Sequence, residues 1–406
     1  MNCNSEKTED KIAFFFPVYG FEHQRYIEKR IKFLQDKPYH IVCLIRAPGN
    51  GWCFPEENIS ILCHTTTVAR ILNKLKKITL GISFKLRNLN NHCLIAPIGW
   101  KRQLRHVIKV HKIKAFIVFF GASAILVADE FKHLGLPFSI FFEGSDSQMG
   151  DSSPWYRNRL KKVWHQACIC IFISEFLRNQ ALERNCPAKK SIVSLNGTTF
   201  PIEKPSYTLE YPLRLISVGN LFPVKGHKYL LDGFRDAVDS GLDLRLTIVG
   251  GGWLETDLRA MAKSLGIADK VCFTGAIPWE GVMVMLKKSH LFLLASVRAD
   301  DGQEEGLGLA AIEAQALGKP AIVSDSGGLP EVVENGVTGI VVPQRDSRAI
   351  GQAIIKLLND PISLSEMSKK AYERAYALFN IERQGEELRN VRDNLLSMPK
   401  KNDPTY

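Results

Sequence analysis

Short apolar runs rich in Phe, Ile and Val recur along the whole chain, each followed by a stretch with helical periodicity, and this alternation leaves few folds open. The first set is residues 11–17 (KIAFFFP), 39–45 (YHIVCLI), 115–121 (AFIVFFG), 137–142 (PFSIFF) and 168–173 (CICIFI). Runs that are apolar at nearly every position suit parallel strands covered on both faces. After residue 199, Pro201, Pro205 and Pro212 crowd a stretch where neither a helix nor a central strand can continue. The alternation then restarts with residues 213–219 (LRLISVG), 243–250 (DLRLTIVG), 270–274 (KVCFT), 290–296 (HLFLLAS), 320–324 (PAIVS) and 339–343 (GIVVP). The expectation is an α/β protein with two doubly wound domains facing across a cleft. Residues 1–200 form the first domain, 201–212 a Pro-rich linker and 213–380 the second domain, with 381–406 a C-terminal helix and tail packing back on the first. A length of 406 residues agrees, since it exceeds what one hydrophobic core usually supports.

Several classes are disfavoured at once. The nine cysteines are odd in number and include no C-x2-C pair, and Cys168 and Cys170, at strand spacing, read as core thiols, which fits a reducing cytoplasm. The first ten residues are polar and carry Glu6, Glu9 and Asp10, so no export signal is expected there. The longest uncharged apolar stretch, residues 115–128, has 14 residues, whereas a spanning helix needs about 20. It is expected to be a buried strand and the helix after it.

In doubly wound sheets ligands sit beyond the carboxyl ends of the strands, so the loops there carry the chemistry. Three of them bear glycines: the loop from Gly219-Asn220 to Lys225-Gly226, the turn Gly250-Gly251-Gly252, and the acidic loop from Asp300 to Gly308. Gly306-Leu307-Gly308 opens a run of strong helix formers, residues 309–317 (LAAIEAQAL), closed by Gly318 and Pro320. Open N–H groups and the helix dipole at such a start favour an anion, which makes this loop a candidate diphosphate site. Glu305 precedes the glycines and Glu313 lies within the helix, so carboxylates on either side suit sugar hydroxyls. A second reading stands beside this one, with Glu313 solvating an ordinary helix and the glycines serving helix–strand packing. The turn at Gly250 is no G-x-G-x-x-G fingerprint, which argues against a nicotinamide cofactor.

Glu305-x7-Glu313, set in residues 301–342 (DGQEEGLGLAAIEAQALGKPAIVSDSGGLPEVVENGVTGIVV), resembles the nucleotide-binding signature of glycosyltransferase family 4, retaining transferases of the GT-B fold with two Rossmann-like domains. Residues 217–234 (SVGNLFPVKGHKYLLDGF) and 246–282 resemble the same family in the same order. Residues 16–34, 142–147 (FEGSDS) and 173–197 are more weakly similar to its members that build bacterial surface polysaccharides. The resemblance implies transfer of a sugar from a UDP- or GDP-linked donor to a glycan or lipid-linked saccharide. It implies that Glu313 binds the donor ribose, that Glu305 and the amides of Gly306, Leu307 and Gly308 hold the donor sugar and diphosphate, and that Lys225 neutralises the pyrophosphate. Gly219, Asn220 and Gly250 complete the donor side, while Tyr19 and Gly20 mark the acceptor side. The catalytic candidates are Glu305 and Glu143, as positioning groups and not as covalent nucleophiles.

The chain departs from the family pattern twice. Asn220 stands where an Arg is usual, and it supplies no positive charge. Glu143 stands where a His is usual, and it reads either as a group facing the acceptor or as a strand-end acid capping the next turn. No Asp-x-Asp pair occurs, so no cofactor and no divalent metal are expected in the site. A nucleotide-sugar epimerase or a phosphorylase is the enzymatic alternative. The net charge of +11 also allows a nucleic-acid-binding protein, though no zinc spacing, RNP-like strand or helix-turn-helix pattern supports one. The charge is concentrated: residues 58–128 contain no Asp or Glu, yet hold Arg70, Lys74, Lys76, Lys77, Lys85, Arg87, Lys101, Arg102, Arg105, Lys109, Lys112 and Lys114. Without those twelve the rest of the chain carries −1. The expectation is a cytoplasmic protein docking peripherally on an anionic membrane face through residues 70–114, with an ordinary solvated basic face, or a patch for an anionic acceptor, as the alternative.

Overall fold

Phe14, Phe15 and Phe16 follow one another in β1 (Lys11–Tyr19), and all three are fully buried. Since neighbouring side chains in a strand point to opposite faces, this sheet must be covered on both sides. The structure is a computed structural model that describes residues 11–19, 25–46, 54–62, 99–144, 146, 154–201 and 207–398. It divides into two units, one of Met1–Phe172, Gln180–Ser194 and Gln384–Tyr406, the other of Ile173–Asn179 and Leu195–Arg383.

The first unit holds β1, β2 (Tyr39–Arg46), β3 (Ile59–Ile61), β4 (Ile113–Phe119), β5 (Phe138–Phe142), β6 (Cys170–Phe172) and β7 (Ser191–Val193). They form one parallel sheet in the order β3-β2-β1-β4-β5-β6-β7. Its helices are α1 (Arg25–Lys32), α2 (Trp100–Val110), α3 (Gly121–His133) and α4 (Pro154–Gln166), with α5 (Glu175–Glu183) running from one unit into the other. The uncharged stretch 115–128 becomes most of β4 and the first half of α3, as its length implies. Gly121, expected at a strand end, is instead the first residue of α3. β3 and β7 were not anticipated, because three residues are too few to show a period.

The second unit repeats the pattern with β8 (Leu213–Val218), β9 (Leu244–Val249), β10 (Val271–Gly275), β11 (Leu291–Leu294), β12 (Ala321–Ser324) and β13 (Gly339–Val342). These strands are parallel in the order β10-β9-β8-β11-β12-β13, a doubly wound sheet whose order reverses between β8 and β11. Around it lie α6 (His227–Asp239), α7 (Glu255–Ser264), α8 (Trp279–Lys288), α9 (Leu309–Ala316), α10 (Leu329–Val332), α11 (Ser347–Leu358) and α12 (Pro361–Phe379). Leu215, Leu246, Ile248 and Leu293 of the strands pack with Leu230 and Phe234 of α6 and Ile350 and Ile354 of α11.

One of the crossings between the units falls at 194/195, ahead of the Pro-rich stretch where the sequence suggests a boundary. Thr198 explains the shift: its N–H donates to Phe379 O at 2.7 Å and its carbonyl accepts from Ile381 N at 3.1 Å, tying this segment to the end of α12. The last helix, α13 (Ile381–Ser397), contributes from Gln384 onward to the first unit. There Arg392, its side chain almost fully buried, grips the Asp36 carboxylate through both terminal nitrogens and donates to Leu34 O at 3.1 Å.

Candidate functional site

The reversal of strand order between β8 and β11 lets the loops beyond their carboxyl ends diverge and leaves room for a ligand. The loop after β8 ends in a short helical turn, Pro223–Lys225, followed by Gly226 and α6. The stem of Lys225 lies over Gly219, its Cδ 3.4 Å from where a Cβ would sit on that glycine. Gly250, at φ +137°, would place a Cβ 2.1 Å from Gly219 O, so only glycine lets the loops after β8 and β9 close on each other. Asn220 between them is exposed.

Across the switch point, Glu305 Oε2 receives Lys225 Nζ at 2.5 Å and Ser296 Oγ at 3.1 Å. Ser296 is fully buried, and Ser324 Oγ donates to its carbonyl, so the group that orients Glu305 is itself held. Leu307 is buried in side chain and offers the site only its backbone. Gly308, at φ +93°, caps α9 without a side-chain cap. The amides of Gly306, Leu307 and Gly308 have no acceptor among the described residues, and Lys225 puts a cation on the adjoining Glu305. Open amides, a helix start and an ammonium suit a phosphate group. Within α9, Glu313 Oε1 accepts from Trp279 Nε1 at 2.7 Å, Trp279 being the first residue of α8. Loop and helix thus join Glu305, the three amides and Glu313 in one short segment, with Lys225 brought to it from 80 residues away.

His227 follows Lys225 and Gly226 as the first residue of α6. It is 2% exposed, and neither ring nitrogen has a hydrogen-bond partner among the described residues. Burial, assisted by the Lys225 charge, pushes its pKa down to about 4, so the ring is neutral.

In the first unit Glu143 follows β5, and both its carboxylate oxygens accept from Arg30, a fully buried residue of α1. Nearby Asp146 accepts from the amides of Gly121 (2.9 Å), Glu143 (3.1 Å) and Gly144 (2.9 Å). Burial raises the Asp146 pKa to about 7 against the lowering effect of the Gly121 bond. The turn cap considered for Glu143 is therefore supplied by Asp146, and Glu143 is held by a guanidinium. Tyr19 is the last residue of β1, and Gly20 lies outside the described residues.

Of the basic segment, Arg70, Lys74, Lys76, Lys77, Lys85 and Arg87 lie outside the described residues. α2 buries Trp100 and Leu104 and exposes Lys101, Arg102, Arg105 and Lys109. Glu130 of α3 takes Arg105 at 2.5 Å and Lys101 at 3.6 Å, an acid that the charge count of the segment alone could not show. Arg102 and Lys109 have no carboxylate partner among the described residues. Among those residues there is also no helix long and apolar enough to cross a membrane, and no His/Cys/Asp/Glu group able to hold a metal ion.

Sequence reasoning singled out neither Ser296 nor Trp279. Both were within reach of the rule that drew attention to strand ends: Ser296 closes the run 290–296, and Trp279 sits in the loop-to-helix junction after β10.

Two parallel, doubly wound units, one with an anion-ready loop flanked by carboxylates, define a GT-B type of protein. Residues 201–374 match the family described as glycosyl transferases group 1. The chain is 30% identical over 275 residues to the putative colanic acid biosynthesis glycosyltransferase WcaL of Escherichia coli K12, a match covering 65% of this chain and 66%, just under two thirds, of that protein. It is 29% identical to the GDP-mannose-dependent alpha-(1-6)-phosphatidylinositol monomannoside mannosyltransferase of Mycobacterium tuberculosis CDC 1551, over 64% of this chain and 70% of that one. Among solved structures, Anabaena Alr3699/HepE in complex with UDP matches with a TM-score of 0.71 at 14% identity, covering 95% of this chain and all of that one. Two parallel, doubly wound Rossmann-like units are the fold class that the sequence leads one to expect.

Proposed function

We propose that this chain is a retaining glycosyltransferase that moves a sugar from a UDP- or GDP-linked donor to a glycan or lipid-linked saccharide in cell-surface polysaccharide biosynthesis. The observation that carries the reading is the loop of Glu305, the open amides of Gly306, Leu307 and Gly308, and Glu313, with Lys225 seated on Glu305. Negative charge grows on the diphosphate as the glycosidic bond breaks, and fixed amides with an ammonium beside them lower that barrier. Glu313 takes the ribose and Glu305 the donor sugar. Retention follows when the acceptor hydroxyl attacks from the face the nucleotide leaves, with the leaving phosphate assisting its deprotonation. Relatives named for colanic acid synthesis and for GDP-mannose-dependent transfer, and a structural neighbour holding UDP, support the donor class.

The acceptor belongs to the first unit, on the side of Tyr19, Gly20 and Glu143. Because Arg30 fixes the Glu143 carboxylate through both oxygens, Glu143 acts as a positioning group that accepts a hydrogen bond from an acceptor hydroxyl. The amides and Lys225 take the place of a divalent metal, so activity persists in EDTA. Arg102 and Lys109, with the cations of 70–87, dock the protein peripherally on the inner face of an anionic membrane. No nucleic acid is involved.

Product analysis with labelled donor tests the function. Label should move to a saccharide only when an acceptor is supplied. Conversion of the donor sugar without acceptor would mean an epimerase, and an untouched donor with sugar phosphate released from a glycan only when inorganic phosphate is supplied would mean a phosphorylase.

A further inference from the structure

The usefulness of the Gly306 loop to an anion depends on which way its peptide groups face. A trans peptide unit carries its C=O and the following N–H on opposite sides. Glu305 O accepts from Gly328 N at 2.9 Å, which turns the N–H of Gly306 the other way. Gly306 O accepts from Ser174 Oγ at 2.7 Å, which turns the N–H of Leu307 away from that serine. Neither of these N–H groups has an acceptor among the described residues, so two successive donors are left for a ligand.

Both tethers are closely fitted. A Cβ on Gly327 would lie 1.9 Å from Glu305 O, and one on Gly328 2.3 Å from Gly306 O, so that segment lies flush on the loop. Ser174 is fully buried and precedes α5, where Leu177 N donates to its Oγ at 3.2 Å. With the helix using the oxygen as acceptor, the hydroxyl proton goes to Gly306 O. The next two amides of α5, of Glu175 and Phe176, both donate to the Glu331 carboxylate at 2.8 Å. Glu331 belongs to α10, directly after Gly327 and Gly328. Ser174, α10 and the loop all belong to the second unit, although Ser174 lies 132 residues from Gly306 in sequence.

We propose that Ser174 is a positioning residue for the donor diphosphate: it turns the peptide between Gly306 and Leu307 so that its N–H faces the distal phosphate, and Glu331 locks the helix start that carries Ser174. The inference rests on the reading of this loop as the diphosphate site. Ser174 touches neither donor nor acceptor in this scheme, so its effect is specific to the phosphate that the turned amide meets.

Calorimetric titration of the full chain with UDP, GDP, UMP and GMP tests it. The parent protein should prefer one diphosphate over its monophosphate. S174A should narrow that preference about three- to tenfold, as expected for one neutral hydrogen bond, while leaving monophosphate affinity unchanged. S174C should narrow it similarly, S174T should restore it, and E331A should narrow it through loss of both helix-start contacts. A merely structural serine would change mono- and diphosphate affinities together, or neither. A parental preference kept in full by S174A and S174C overturns the inference and spares the donor site. A parent protein that binds neither diphosphate overturns the donor-site reading, and the inference with it.

Discussion

Replacing Trp279 by Phe keeps an aromatic ring at the start of α8 and removes the N–H that reaches Glu313 Oε1 at 2.7 Å. A hydrogen bond to an ionised carboxylate contributes about 1.5–3 kcal/mol, and at this partly exposed pair the lower figure applies. About 1.5 kcal/mol corresponds to roughly tenfold in donor Kd. Ribose recognition is the same in the ground and transition states, so KM should rise and kcat should hold. The double-mutant cycle sharpens this prediction. In W279F/E313A the two costs should fall short of additive by about 1 kcal/mol, because each single change already removes the shared contact. Calorimetry with the nucleoside diphosphate gives Kd, and initial rates give the KM and kcat split. A W279F affinity within twofold of the parent, or fully additive costs, refutes the claim that the indole orients the ribose carboxylate.

Glu305→Ala removes the acceptor of both Lys225 and Ser296, and should cut kcat by about one to two orders of magnitude with a smaller effect on donor affinity; near-parental turnover would show that Glu305 is no part of the reacting site. Acid should destabilise the fold through His227, neutral at a pKa of about 4 when folded against the ordinary 6.5. As pH falls the unfolded chain takes up that proton first, so stability intact above pH 6.5 declines toward pH 4, by up to about 3 kcal/mol for this residue. His227→Leu should therefore lose less melting temperature between pH 7.5 and pH 5 than the parent, and an identical loss rules the residue out as a source. On phosphatidylglycerol vesicles, R102Q/K109Q should weaken binding more than K101Q/R105Q, since Glu130 already engages Lys101 and Arg105. Equal partitioning onto anionic and neutral vesicles contradicts the membrane proposal.

The alternation of apolar runs made both sheets legible, because a strand buried on two faces leaves a signal in its own residues, as Phe14 to Phe16 do. β3 and β7 left no such signal at three residues each. The Glu305 to Glu313 segment was legible for a related reason: glycines, helix formers and a stop signal lie together in sequence. Contacts made at long range were hidden. Nothing in the residues around Glu143 announces that Arg30 pairs with it, and nothing near Lys101 announces Glu130, since the fold brings these partners together from 113 and 29 positions away. Ser174 belongs to the same class, an ordinary serine before a helix until Gly306 O is placed against it. Prolines mark where regular structure stops, and they give no sign that Thr198 pairs with the end of α12 through plain backbone hydrogen bonds.

The central claim is that the Glu305 to Glu313 segment holds the diphosphate and ribose of a sugar nucleotide. The most direct test is a thermal-shift titration of the parent protein, K225A and E313A with UDP, GDP, ADP and their common sugar conjugates. One nucleotide series should raise the parent's melting temperature, with its nucleoside diphosphate and sugar conjugate both active, and the shift should shrink in both variants. No shift with any of these ligands, or shifts of equal size in the parent, K225A and E313A, would contradict it.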